Sequence, residues 1–139
     1  RNEGCEVVCG QHLAERNTGY FQRPGAFLNA NNKMRSSREE IFGPVASIIK
    51  VDDFEEAVAT ANDTEFGLSS AICTRSLYYA REFKRLSEAG MAMVNLPTAG
   101  VDYHVPFGGR KNSSYGSREQ GRAAIDFYTT TKTTYSFAG

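Results

Sequence analysis

Three short apolar runs alternate with two segments of helical periodicity between residues 45 and 95. The apolar runs cover residues 45–51, 68–74 and 91–95. Each has the length and composition of a buried strand. The order strand, helix, strand, helix, strand predicts a βαβαβ unit with a parallel sheet and helical crossovers, so the chain is assigned to the α/β class. Ligands of such sheets bind beyond the carboxyl ends of the strands, and a site is therefore expected in the loops there.

Capping residues place the ends of the two helices. The first helix is predicted over residues 53–62, because Asp53 followed by Glu56 resembles a capping arrangement and apolar residues follow at helical spacing. The second is predicted to begin after Ser76, a residue type that caps helices, and to end at Gly90. Residues 62–67 are then a loop between the first helix and the second strand.

The loop before the first strand combines acids, an aromatic ring and a turn. It reads Arg-Glu-Glu-Ile-Phe-Gly-Pro-Val over residues 38–45. Gly43-Pro44 is turn chemistry, because glycine allows unusual dihedral angles and proline fixes φ. A carboxylate can accept hydrogen bonds from a ribose diol, and an aromatic face can stack on a flat heterocycle. The alternative is that Glu39 and Glu40 form a solvated charged pair and that Phe42 is an ordinary core residue.

A longer loop follows the third strand and is rich in glycine and aromatic residues. It runs from Asn95 to Lys111 and contains the sequence Pro-Phe-Gly-Gly-Arg-Lys over residues 106–111. Its position after a predicted parallel strand makes it the second place where a site is expected.

These two loops, in this order and with this spacing, resemble the aldehyde dehydrogenase superfamily. Glu-Glu-Ile-Phe-Gly-Pro resembles one family motif. Pro-Phe-Gly-Gly-x-Lys-x-Ser, with Arg-Glu following, resembles the closing motif, and Thr-Lys-Thr at residues 131–133 resembles the terminal strand. The resemblance covers nearly the whole chain from about residue 19. It implies the βαβαβ parallel-sheet portion of an aldehyde dehydrogenase catalytic domain over residues 1–128, with a C-terminal helix, and an oligomerisation strand over residues 129–139.

The resemblance also implies roles for particular residues. Glu40 corresponds to the acid that contacts the nicotinamide ribose and Phe42 to the ring beside the nicotinamide, so the cofactor is NAD or NADP. Phe107 would line the substrate tunnel. His104 could touch a carboxylated substrate, although a histidine on a loop is more often a surface residue. Asn95 could help to order its loop. The 95–111 loop looks most like the corresponding loop of the family branch that oxidises 2-oxoglutarate semialdehyde (2,5-dioxopentanoate). The resemblance therefore implies a small-molecule aldehyde as substrate.

Catalytic residues of the family are expected to lie outside this chain. The nucleophilic cysteine belongs to a Gly-Gln-x-Cys motif far upstream of the Glu-Glu-Ile-Phe-Gly-Pro loop, and neither Cys5 nor Cys9 has that context. Cys73 lies in a predicted strand and is interpreted as packing. The general-base glutamate and a Gly-rich nucleotide-binding unit are also missing. The chain is therefore interpreted as a C-terminal fragment that is inactive by itself.

Two departures from the closing motif concern the turn and the last helix. Ser114 stands where the family pattern has glycine, which restricts the backbone there. Ser117, with Gln120 three residues later, fits a capping box for the final helix. Neither departure alters the cofactor contacts that the resemblance implies.

Composition excludes several other classes. The 139 residues carry 16 basic and 16 acidic side chains, so charge gives no argument for nucleic acid or a membrane surface as partner. No apolar stretch is long enough to span a bilayer, and the first residues do not read as a secretory signal. Three cysteines predict a reducing, cytoplasmic compartment. Cys5, Cys9 and His12 could suggest a metal, but their spacing is not a common zinc pattern and they are interpreted as structural.

The end of the chain is rich in strand-forming residues. Residues 129–138 read Thr-Thr-Thr-Lys-Thr-Thr-Tyr-Ser-Phe-Ala. A terminal strand with an open edge needs a partner, and the resemblance implies pairing with another subunit in a homo-oligomer, either a dimer or a tetramer. The alternative is an edge strand in the chain's own sheet. A different class of function also stays open, in which the chain is a non-catalytic association module that retains the fold.

Overall fold

A computed structural model describes residues 3–10 and 19–139. The chain divides into two compact units, Arg1–Thr64 and Glu65–Gly139. Within the described ranges, no helix has both the length and the apolar character that crossing a membrane requires.

The first unit combines a small mixed sheet with two helices. Its elements are β1 (Glu6–Cys9), β2 (Gly25–Leu28), α1 (Arg35–Arg38), β3 (Val45–Ser47) and α2 (Phe54–Asn62). The sheet order is β1-β2-β3, with β1 antiparallel and β3 parallel to β2.

Strand β3 is shorter than the apolar run that predicts it. Regular pairing ends at Ser47, although the Ile48 amide still donates to the Phe27 carbonyl at 2.8 Å. The Ala30 amide returns a bond to the Ile48 carbonyl at 3.2 Å, and Ala30 is buried. Residues 49–51 then lead without pairing to α2. None of residues 45–51 is fully buried and Ile48 is 49% exposed, so this apolar run predicts neither the length nor the burial of the strand.

Helix α2 confirms the capping prediction. The Asp53 carboxylate accepts a hydrogen bond from the Glu56 amide at 2.8 Å, and the Glu56 carboxylate accepts one from the Asp52 amide at 2.7 Å. The first bond satisfies an amide that a helix start leaves without an intrahelical partner, and the second ties the residue before the cap to the first turn. Val58 is buried on the apolar face of the helix. Asp63 ends the helix, and its amide donates to the Ala59 carbonyl.

The second unit contains a parallel strand pair, a short antiparallel pair and two helices. Its elements are β4 (Phe66–Gly67), β5 (Ser69–Ile72), α3 (Leu77–Leu86), β6 (Met91–Val94), β7 (Arg110–Lys111) and α4 (Ala123–Tyr128). Strands β5 and β6 are parallel and joined by α3, as the alternation predicts, and Ser76 caps α3 by accepting from the Tyr79 amide. The β4–β7 pair is antiparallel, and both of its strands lie in segments predicted to be loops.

Helix α3 does not extend to Gly90, and that prediction was wrong. The helix ends at Leu86, and Ser87 follows in an extended conformation with its amide on the Phe83 carbonyl. Ser87 is buried and its hydroxyl lies 2.7 Å from the hydroxyl of Ser70 on β5. This contact attaches the turn after α3 to β5. Gly90 instead stands where the chain passes against Gly108 and Gly109, with no room for a side chain.

The end of the chain also differs from prediction. Helix α4 begins after Arg122 without a side-chain cap, so Ser117 does not cap it. Residues 129–139 form no strand in the described single chain, and all of them are exposed. The alternative of an edge strand in the chain's own sheet was therefore wrong. Pairing of this segment with another subunit stays a prediction.

Candidate functional site

The Glu-Glu-Ile-Phe-Gly-Pro loop connects α1 to β3 and holds its aromatic ring outward. Phe42 is 94% exposed and has φ of 52°, in the left-handed region that non-glycine residues rarely adopt. Gly43, in contrast, does not have a positive φ. The unusual dihedral expected from the Gly-Pro pair therefore falls on the phenylalanine. Positive-φ strain of this kind often accompanies function, and it here keeps an apolar ring out of the unit's core.

The two acids of this loop have different surroundings. Glu39 accepts hydrogen bonds from Arg35 Nε at 2.8 Å, one helical turn earlier. This contact raises the pKa of Arg35, first through the hydrogen bond and then through the charge of Glu39. Within the described residues, Glu40 makes no hydrogen bond or ion pair. Glu40 is therefore the carboxylate that remains able to accept bonds from a ligand.

Two open clefts border this loop. One, of about 330 Å³, is lined by residues of the loop itself and of α1 and β3. The other, of about 660 Å³, lies toward β1 and β2. Both clefts share four lining residues: Ser36, Glu39, Glu40 and Ile41. Glu40 thus stands at a wall common to the two clefts, while Phe42 lines the smaller one.

Asn95 closes the carboxyl end of the β5–β6 pair. Its amide N–H donates to the Ile72 carbonyl, and its side chain both accepts from the Thr74 amide and donates to the Thr74 carbonyl, each at 2.8 Å. The side chain therefore imitates one rung of the sheet where the backbone turns away at φ of 55°. This geometry agrees with the expectation that Asn95 orders the loop.

Replacing Asn95 with alanine is expected to lower the free energy of unfolding by about 2 kcal/mol. Two hydrogen bonds are lost, and alanine must adopt the left-handed conformation that asparagine tolerates better. Asn95→Gly should recover about 1 kcal/mol of that loss, because glycine takes positive φ freely. Denaturant unfolding measures both values. Leu96→Ala, at the exposed neighbouring position, is the control and should change stability by less than about 0.5 kcal/mol.

Phe107 is held by the backbone on both sides. Its amide donates to the Glu119 carbonyl at 2.7 Å, and the Glu119 amide donates back at 2.9 Å. The Arg118 guanidinium donates to the Gly109 carbonyl, and the Gly109 amide donates to the Ser114 hydroxyl at 2.6 Å. Ser114, the departure from the family pattern, therefore ties the double-glycine turn. The Phe107 ring is half-buried at the start of this turn.

His104 is exposed and its ring contacts Tyr103 edge to face, with ring centroids 5.6 Å apart. Tyr103 is itself 83% exposed. At the end of the same loop, Lys111 forms an ion pair with Glu88 at 2.6 Å, so its charge is largely matched locally. His104 therefore keeps both interpretations from the sequence, as a substrate contact and as a surface residue.

The candidate residues are divided between the two units. Glu40 and Phe42 belong to the first unit, His104 and Phe107 to the second. The cysteines at positions 5 and 9 lie on or beside β1, half-buried and exposed, and His12 lies outside the described residues. In the part of the chain that the structure describes, no three metal-ligating side chains come together.

Sequence reasoning missed the contacts that support the first loop. Arg38 and Asp63 are 25 positions apart and form a bidentate ion pair at 2.8 and 3.0 Å. No local pattern indicates such a contact. The available signals are a basic residue next to the loop and an acidic residue at a helix end. Many other pairs of residues in the sequence fit that description equally well.

Comparison with known proteins identifies the family. The profile described as the aldehyde dehydrogenase family matches residues 1–134, and the chain belongs to this family. It is 45% identical over 137 residues to alpha-ketoglutarate semialdehyde dehydrogenase of Haloferax volcanii, covering 96% of this chain and 28% of that protein. It is 43% identical to the alpha-ketoglutaric semialdehyde dehydrogenase of Bacillus subtilis, covering 97% of this chain and 28% of that protein.

Solved structures agree in fold. The indole-3-acetaldehyde dehydrogenase of P. syringae in complex with NAD+ superposes with a TM-score of 0.87 at 39% identity, covering 96% of this chain and 27% of that one. An aldehyde dehydrogenase of Mycobacterium tuberculosis with NAD+ gives 0.85 at 32% identity, covering 98% and 29%. The fold expected from the family resemblance is therefore confirmed. The chain spans little more than a quarter of the length of these relatives.

Proposed function

We propose that this chain is the C-terminal part of an NAD- or NADP-dependent aldehyde dehydrogenase and forms one wall of its cofactor site. The observation that carries this proposal is the division of the acidic pair. Glu39 is tied to Arg35, whereas Glu40 and the Phe42 ring are exposed on the same short loop. A free carboxylate and a free aromatic face fit the ribose and the flat ring of a nicotinamide nucleotide.

The residues of this chain would hold and orient the cofactor. The Glu40 carboxylate would accept hydrogen bonds from the ribose hydroxyls, and the Phe42 ring would cover one side of the nicotinamide. When bound, the nicotinamide supplies hydride acceptance. Phe107 would line the path of the aldehyde, and His104 is the residue here that could contact a substrate carboxylate. The cysteine nucleophile and the general base would come from the remainder of the protein, so this chain has no activity by itself.

The substrate that we propose is 2-oxoglutarate semialdehyde, which would be oxidised to the dicarboxylic acid. Support comes from the two semialdehyde dehydrogenases that share 43–45% identity with the chain. The proposed compartment is the cytoplasm. We also propose a homo-oligomer, in which residues 129–139 would pair with another subunit.

The test uses the complete protein that contains this chain. Reduced nicotinamide formation is followed with 2-oxoglutarate semialdehyde, with NAD and NADP in turn. Glu40→Ala should raise the KM for the dinucleotide by about tenfold, because a charge-assisted hydrogen bond is lost. Glu39→Ala is the matched control and should have the smaller effect, because that acid is engaged by Arg35. Equal effects of the two substitutions, or none, would overturn the assignment of Glu40.

A second candidate function is association without catalysis. The observation in its favour is the exposed terminal segment, in which Tyr135 and Phe137 are each 95% exposed. If the complete protein oxidises no aldehyde with either cofactor yet oligomerises through this segment, the association module becomes the better assignment. Truncation after Tyr128 would then abolish oligomers in size-exclusion chromatography.

A further inference from the structure

A cluster of polar side chains connects the end of α2 to the helix that precedes the candidate cofactor loop. The Arg38 guanidinium donates to both carboxylate oxygens of Asp63, at 3.0 and 2.8 Å, and to the Asp63 carbonyl at 2.8 Å. The Asn32 side-chain amide donates to the Thr60 carbonyl at 2.8 Å and to Asp63 Oδ2 at 3.1 Å. Asn32 precedes α1, and Arg38 is the last residue of α1.

Helix α1 depends on such contacts for its orientation. It contains four residues, a single turn, which is too short to be stable without tertiary support. Before the helix, Met34 is buried and its carbonyl accepts the Ser37 and Arg38 amides. At the other end, Arg38 is the last helical residue and is bound to Asp63. Met34 therefore anchors the beginning of α1, and the Arg38–Asp63 pair anchors its end.

The second anchor lies immediately before the loop. Glu40 follows Arg38 by two residues and Phe42 by four. The Glu39 amide donates to the Arg35 carbonyl, so the helical geometry continues to the first residue of the loop. A shift of Arg38 would therefore change the direction in which the Glu40 and Phe42 side chains project.

The cation also suits its position at the end of α2. Asp63 is the residue that ends this helix, and arginine side chains near a helix C-terminus bind its last carbonyls and complement its dipole. Both side chains are partly exposed, 42% for Arg38 and 56% for Asp63. An exposed ion pair adds little to stability. Its three bonds to one guanidinium instead fix geometry, which a single charge contact does not.

We propose that Asp63 is a positioning residue for the cofactor-binding loop, acting through Arg38 with the support of Asn32. This inference rests on the proposed function of that loop. The pair fixes the end of α1, and thereby the place at which the Glu40 carboxylate and the Phe42 ring meet the dinucleotide.

The test measures cofactor affinity and stability separately in the complete protein. Arg38→Ala should raise the KM and Kd for the dinucleotide by about five- to tenfold, since a displaced binding group loses much of its contribution, and should change kcat by less than twofold. The double exchange Arg38→Asp with Asp63→Arg should recover most of the affinity that Asp63→Arg loses. Hydrogen exchange of the cofactor-free protein should become faster in residues 39–42 of Arg38→Ala.

Arg85→Ala is the matched control. Arg85 pairs with Glu82 at 2.7 Å on α3, far along the chain from the loop, and its hydrogen bond lowers the pKa of Glu82. This variant should lose as little thermal stability as Arg38→Ala and should bind the dinucleotide normally.

The outcomes separate two failures. If Glu40→Ala weakens dinucleotide binding and Arg38→Ala does not, the positioning role is wrong and the proposed function stands. If neither variant weakens binding, the cofactor assignment of the loop fails, and the positioning role fails with it. If Arg38→Ala and Arg85→Ala weaken binding equally, or if the double exchange recovers nothing, the effect is general destabilisation and the inference is overturned.

Discussion

Gly90→Ala is expected to destabilise the second unit by about 3 kcal/mol or more, at or beyond the upper end of what overpacking costs. A Cβ at this position would overlap the Gly108 carbonyl oxygen and lie 2.7 Å from the Gly109 Cα. The three nearest atoms all belong to the backbone, so no side chain can rotate away from the clash. The strand start at Met91 and the double-glycine turn would have to separate, which would disturb the Gly90 amide bond to the Gly67 carbonyl at 2.8 Å.

Soluble yield and the midpoint of denaturant unfolding measure this effect. Gly43→Ala is the control for stability, because its Cβ would meet nothing closer than 3.9 Å and its φ is not positive. That variant should change the free energy of unfolding by less than about 0.5 kcal/mol. A Gly90→Ala protein with unaltered stability would show that the two backbones are not in contact.

Phe42→Gly should be more stable than Phe42→Ala, although it should bind the cofactor far more weakly than the parent protein. Phenylalanine at φ of 52° is strained, and its 94% exposed ring gains little from packing within the unit. At ordinary positions glycine is less stable than alanine by about 0.5–1 kcal/mol. Here the order should be reversed, with Phe42→Gly more stable than Phe42→Ala by about 1 kcal/mol, because alanine retains the left-handed strain.

Cofactor affinity should fall by about thirtyfold in the same variant, as expected when an aromatic ring loses both apolar burial and stacking. Phe42→Leu separates these contributions, because leucine keeps apolar volume without an aromatic face. Its affinity should lie between those of the parent and Phe42→Gly. Isothermal titration of the complete protein with the dinucleotide gives the affinities, and thermal unfolding gives the stabilities. If Phe42→Gly binds the dinucleotide as tightly as the parent protein, the Phe42 ring does not contact the cofactor.

Local chemistry was enough to predict much of this fold. Asp53 and Ser76 each cap a helix, because a capping side chain bonds an amide only three residues away. The parallel pairing of β5 and β6 follows from their separation by one helix. The family was accessible from two motifs in the correct order, and the profile match confirms it.

Features that depend on distant parts of the chain could not be read from the sequence. Gly90 looks like a helix terminator, yet its role is set by Gly108, eighteen positions later. The final segment is rich in strand formers, yet β propensity without a neighbouring strand gives no pairing in the single chain. In the candidate site, the sequence alone does not distinguish the adjacent residues Glu39 and Glu40. Arg35, one helical turn before Glu39, pairs with Glu39 and leaves Glu40 available to a ligand.

The side-chain rung made by Asn95 has a consequence for observing this protein in solution. The Thr74 amide is protected by a side-chain oxygen and not by a neighbouring strand. Its exchange with deuterated solvent therefore reports on one rotamer of one asparagine. Asn95 is the first residue of the long loop that leads to His104 and Phe107. The nuclear magnetic resonance signal of the Thr74 amide proton therefore reports whether the start of that loop is anchored.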